Sequence, residues 1–128
     1  MGEAGVAGRG YHRFMNGTRV LVACELQSYR QALVVALREL RPSVEVFEVE
    51  EEENLDHEVE RLGPDLVVCS RRTGRIEDRA PSWVELYPNH GTHSVVSVLG
   101  ERSTVEEIQL CDLLSIIDRA EGSQHSRR

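Results

Sequence analysis

Residues 19–25, RVLVACE, limit what this chain can fold into more than any other stretch. Val20, Leu21, Val22 and Ala23 run without a polar interruption, the pattern of a strand covered on both faces. A helical pattern follows over residues 28–40, so the two read as the opening strand and helix of an α/β domain. In such domains ligands and reacting groups collect at the carboxyl ends of the parallel strands. Here those positions are held by Cys24 and Glu25.

The rest of the chain extends the pattern. Ser28 and Gln31 have the spacing of a capping box. Tyr29, Leu33, Leu37 and Leu40 then recur at helical spacing, widened by Val34 and Ala36, until Pro42 stops the helix. Val44, Val46, Phe47 and Val49 predict a second strand over 44–49. The acidic run 50–53 leads into a short helix marked by Leu55, Val59 and Leu62 and ended by Gly63-Pro64. Glutamates at a helix start complement its dipole, and that reading is preferred here to a divalent-cation or basic-partner site. DLVVCS, residues 65–70, is a third strand as apolar as the first.

Beyond it the pattern changes. Residues 71–81 read as a loop carrying Arg71, Arg72, Arg75 and Arg79 against Glu77 and Asp78. SWVELYP alternates in the manner of a half-exposed strand, with Trp83 and Tyr87 on one face as core or edge packing. Asn89-His90-Gly91 is turn chemistry, residues 94–99 form another apolar strand, and Gly100-Glu101-Arg102 has the look of a hairpin turn. Leu110, Leu113, Leu114, Ile117 and Ala120 share one helical face while Val105 and Ile108 fall on another. The phases therefore predict a short returning strand near 103–105 and a helix over about 110–121. Residues 1–17 hold five of the ten glycines without periodicity and are expected to be a disordered leader, with Met15 as a second candidate start. The α/β domain is expected over 18–121 and a disordered tail over 122–128.

Composition removes several functions. All 15 basic residues are arginine, so lysine Schiff-base chemistry and a P-loop lysine are absent from the sequence. A net charge of −7 opposes a broad nucleic-acid footprint. Three dispersed cysteines do not make a secreted disulfide scaffold, no apolar run approaches a membrane span, and a cytoplasmic protein is expected. His90 and His93 have metal-ligand spacing, but structural zinc usually takes four protein ligands, so no metal is expected.

RVLVACELQSYRQALVVALREL resembles the first strand and helix of bacterial response-regulator receiver domains, and PDLVVCS resembles their third strand. The resemblance covers residues 19–70. It implies a receiver- or flavodoxin-like first half: a mostly parallel central sheet flanked by helices. The whole chain is then expected to add a C-terminal β-hairpin and a final helix packed beside the first. Set against a receiver, Cys24 and Glu25 take the places of the metal-holding acids and Ser70 takes that of the phosphorylated aspartate. With serine there, a cysteine in the metal pair and no lysine in the chain, aspartyl phosphorylation is not expected.

The candidate ligand or partner site is therefore Cys24, Glu25, Ser70, Arg71 and Arg72. Cys24 is expected to be a buried thiol rather than a nucleophile. The arginines after the third strand are expected mostly to pair with nearby acids, although guanidinium groups there also suit phosphate or carboxylate. The expected function is a non-catalytic, receiver-like regulatory or interaction module that acts through an unidentified protein partner or a homodimer. The alternative is a small-anion-binding protein or weak enzyme using the carboxyl ends of strands 1 and 3 and the arginine loop. Neither reading needs a cofactor.

Overall fold

A computed structural model describes residues 17–126, with side chains described to residue 121. Six strands form one sheet: β1 (Arg19–Ala23), β2 (Glu45–Glu48), β3 (Leu66–Cys69), β4 (Ser82–Glu85), β5 (His93–Val98) and β6 (Glu101–Glu106). The helices are α1 (Gln27–Leu40), α2 (Leu55–Leu62), α3 (Gly74–Arg79) and α4 (Leu110–Ser126). The strand order is β2-β1-β3-β4-β5-β6. The first four run parallel, and β5 and β6 are antiparallel to their neighbours, so the sheet is mostly parallel but mixed.

The unbroken apolar run of β1 is explained by its position between β2 and β3 with helices on both faces. Val20 and Val22 face one layer with Leu33, Val34 and Leu37 of α1 and Leu113, Ile116 and Ile117 of α4. Leu21 and Ala23 face the other, with Leu55 and Val59 of α2 and Ile76 of α3. The last helix thus shares a side of the sheet with the first, and the Arg41–Asp118 ion pair (2.8 Å) joins them. Among the described residues no helix is long and apolar enough to cross a membrane.

Several local expectations are corrected. Helix α1 starts at Gln27, with Leu26 as an uncapped N-cap. Ser28 is thereby inside the first turn, and the Ser28–Gln31 capping box does not form. Residues 71–81 are not all loop. Thr73 caps α3 by accepting the Ile76 N–H, and Ile76 is fully buried against the sheet. A buried anchor and a cap suffice for a six-residue helix in which one apolar residue shows no periodicity.

β4 is not half-exposed either. It lies between β3 and β5, and Ser82, Trp83 and Val84 are buried. The guanidinium groups of Arg72 and Arg102 lie over the Trp83 ring, 4.7 and 5.2 Å from its centroid. The turn between β5 and β6 is Leu99-Gly100, both at positive φ, so Glu101 and Arg102 belong to β6. Helix α4 runs to Ser126, into the segment expected as a tail from 122. The expected leader lies, apart from Gly17, outside the described residues.

Candidate functional site

The switch in chain direction lies between β1 and β3, where the path leaves β1 toward β2 and returns to β3 on the other side. Open α/β sheets bind ligands in the crevice outside the strand ends at such a point. A cleft of about 640 Å³ opens there, and all five candidate residues, Cys24, Glu25, Ser70, Arg71 and Arg72, line it. They are not equivalent.

The strand ends are tied across the cleft floor. The Glu25 N–H donates to Ser70 Oγ at 2.9 Å, joining the tip of β1 to the tip of β3. The Leu86 N–H donates to the Cys69 carbonyl at 2.8 Å, and the Arg72 N–H donates to Glu85 Oε2 at 3.2 Å, joining β3 to β4. Ser70 therefore meets a backbone donor, not a base that would activate its hydroxyl. Cys24 is buried, and burial pushes its thiol up to about 12 despite the nearby positive charge of Arg30. At neutral pH it is a thiol, and the nucleophile reading fails on that chemistry. Burial, with Glu85 adding to it, likewise pushes the Cys69 thiol up.

The two arginines differ. Arg72 is held by Glu77 at 3.0 Å, approaches Glu85 at 4.0 Å and covers Trp83. Its positive charge is committed to the fold. Arg71 leaves 72% of its side chain exposed, with Glu52 at 3.7 Å as a loose partner. It can swing to a bound anion at little cost, because exposed pairs of this kind contribute little. Further along, Arg75 and Arg79 both turn to Glu60 of α2. Most of this arginine group is thus paired with acids, as expected, though chiefly with acids of other elements.

Other features of the site have weak sequence signals. Leu26 and Tyr29 form one lip of the cleft and Tyr87, Pro88, Asn89 and His90 the other. Tyr87, Asn89 and His90 take positive φ values of 46°, 60° and 60°. That region is uncommon outside glycine, and such residues cluster at functional sites. Tyr87 is held by its N–H to Ser94 Oγ (3.1 Å) and its hydroxyl to the Ile108 carbonyl (3.2 Å). Partial desolvation of Tyr29 against the cleft wall, with Cys24 and Tyr87 nearby, pushes its phenol up, so that ring is neutral at physiological pH. Asn89-His90-Gly91 read as a turn; nothing in it announced a cleft wall.

Arg30 supports the cleft floor from beneath, and sequence reasoning missed it. It lies beneath the site, is only 5% exposed, and donates to Glu48 Oε2 (2.7 Å) and to the Cys24 carbonyl (3.1 Å). Its one visible signal is spacing: it lies three and four residues before Leu33 and Val34, on the apolar face of α1. A smaller hollow of about 190 Å³ lies on the other side of Glu25, beside Glu50 and Glu52. Among the described residues, no group of three or more His, Cys, Asp or Glu side chains is placed to hold a metal ion. Comparison with protein-family models finds no match to the chain, and comparison with curated proteins finds none.

Proposed function

We propose that this chain is a receiver-like regulatory module that works by contact rather than catalysis and is not phosphorylated on aspartate. The observation that carries the reading is the Glu25–Ser70 hydrogen bond across the switch point. A serine hydroxyl held by a backbone donor at the tips of β1 and β3 supports a site without a carboxylate nucleophile beside a carboxylate-held metal. The order β2-β1-β3-β4 and the parallel β3-α3-β4 crossover support the architectural part of the proposal. So does the packing of α1 and α4 on one side of the sheet. Exposed Leu26 and Tyr29 at the cleft lip offer a contact surface for a partner.

The test is intact-mass spectrometry after incubation with acetyl phosphate and Mg²⁺, in parallel with capture of binding proteins on native and Leu26→Asp/Tyr29→Asp protein. Unchanged mass and a partner retained by the native chain but lost by the variant support the proposal. A metal-dependent phosphoryl adduct on an aspartate or on Ser70 overturns it.

The cleft favours a second reading, a small anionic ligand with an apolar body. Its walls include two tyrosines, Leu26 and Leu86, and its rim carries the exposed guanidinium of Arg71. Arg71→Ala is the discriminating variant, because Arg72 also supports Trp83 and its loss would perturb folding. A small aromatic carboxylate or phosphate that raises the melting temperature of the native chain, and does not raise that of folded Arg71→Ala, supports this reading. No such compound across a calorimetric panel removes it.

A further inference from the structure

The two edges of the sheet are finished differently. β2 is four residues long, and Arg38 Nη2 donates to the outward Val46 carbonyl at 2.8 Å. β6 is six residues long, contains no proline, and is exposed at every position except Val105. An edge of that length presents a row of donors and acceptors that can pair with another strand.

The register shows which groups point outward. β5 and β6 pair from His93↔Glu106 to Val98↔Glu101, around the two-residue turn Leu99-Gly100. In such a turn the flanking residues, Val98 and Glu101, exchange hydrogen bonds, and the pattern alternates from there. The Glu107 N–H donates to the Thr92 carbonyl at 3.0 Å, and the Leu99 N–H faces the other way, to Pro81. Both fit the same alternation. Glu101, Ser103 and Val105 therefore turn their main-chain groups toward β5. Arg102, Thr104 and Glu106 turn theirs outward, three N–H groups and three carbonyls.

These outward residues are self-complementary. In an antiparallel pair of two β6 strands, outward groups must meet outward groups. The register centred on Thr104 uses all three positions and sets Thr104 opposite Thr104. It also sets Arg102 of each copy opposite Glu106 of the other, and directly opposed side chains share a face of the sheet. Residues 102, 104 and 106 alternate onto one face of the strand. On that face Arg102 reaches back over Trp83 and to 3.5 Å from Glu77, and at the strand end Glu106 accepts from Thr92 Oγ1 at 3.2 Å. Glu101 and Glu107, the like charges that would meet next, fall at the margin, where Glu107 leaves the strand with φ 47°.

We infer that the chain forms a two-fold symmetric homodimer through β6, joining two six-stranded sheets into one continuous sheet about an axis at Thr104. The occupant of the edge is a second copy because opposite charges meet twice in the one register that also uses every outward main-chain group. This assembly is independent of what the cleft binds.

Sedimentation velocity over a range of concentrations tests it. The native chain is expected at twice its single-chain mass. Thr104→Pro removes an outward N–H and no bond to β5, a placement that sheets tolerate at their edges. It is expected to sediment as a folded monomer with an unchanged circular dichroism spectrum. Arg102→Glu and Glu106→Arg each place like charges opposite one another and are expected to be monomeric. Their equimolar mixture restores both opposite-charge pairs and is expected to return to twice the single-chain mass. The inference is overturned if the native chain is monomeric at every concentration, if folded Thr104→Pro remains dimeric, or if the mixture of charge variants, each folded by circular dichroism, stays monomeric.

Discussion

A buried guanidinium is stable where acceptors meet it, and Arg30 has the Glu48 carboxylate and the Cys24 carbonyl. Replacing it with methionine keeps the packing and removes both bonds. It leaves the Cys24 carbonyl without this donor and Glu48 without its counter-charge. Arg30→Met is expected to cost roughly 2–3 kcal/mol, read as a lower denaturant midpoint at unchanged slope. Cys24 makes a prediction of opposite character. Its folded pKa is raised, so the native state keeps a proton that the unfolded chain loses. The associated stability is fully present below the ordinary thiol value and is lost as pH rises from there toward about 12. Urea unfolding followed from about pH 8 upward is expected to show an alkaline decline that is shallower in Cys24→Ala. An equal decline in both proteins counts against the burial argument.

The elements are held by specific local devices. Thr73 both caps α3 and donates from its hydroxyl to Asp56 of α2 at 2.7 Å, so one side chain ends a loop and spaces two helices. Gly63, in the left-handed region, closes α2 with its N–H on the Val59 carbonyl. The β5-β6 turn is less well matched. Leu99 sits at φ 51° ahead of Gly100 at φ 92°, in a two-residue turn that favours Asn-Gly. Leu99→Asn keeps the N–H that bonds Pro81 and relieves the left-handed strain. It is expected to raise stability by about 0.5–1 kcal/mol in thermal or chemical unfolding. Loss of stability instead would mean that the half-exposed Leu99 side chain packs more than its exposure indicates.

At the scale of the molecule, two layers clamp one sheet, and the layer containing α1 and α4 carries an ion pair that responds to pH. The hydrogen bond from Arg41 holds the Asp118 carboxyl below the usual aspartate range. Its contribution is present above the ordinary aspartate value and is lost as pH falls through the lowered one. Both side chains are substantially exposed, so the effect is small and screened by salt. Asp118→Asn is expected to be slightly less stable than the native chain at neutral pH. The difference should shrink in acid and in high salt, measured by urea midpoints across that range.

What the sequence determined by itself is the α/β class, the buried first and third strands, and the amphipathic helix between them. Those follow from short-range patterning: a short apolar run between polar flanks fits a doubly covered strand, and a 3.6-residue stripe fits a helix with one face on a core. It also put a serine hydroxyl at 70, a thiol at 24 and no lysine anywhere in the chain, since residue identity needs no coordinates. Tertiary structure alone decided the rest. The burial of Trp83 depends on β4 standing between β3 and β5 beneath two guanidinium groups distant in sequence. α3 depends on one buried isoleucine and a threonine cap, too little for a periodicity to register. The difference between Arg71 and Arg72 is a matter of which acids lie within reach once β3 and β4 are paired. The cleft is likewise made by bringing together residues from 24–29, 70–72 and 85–90, segments that have nothing in common until the parallel strands set their ends side by side.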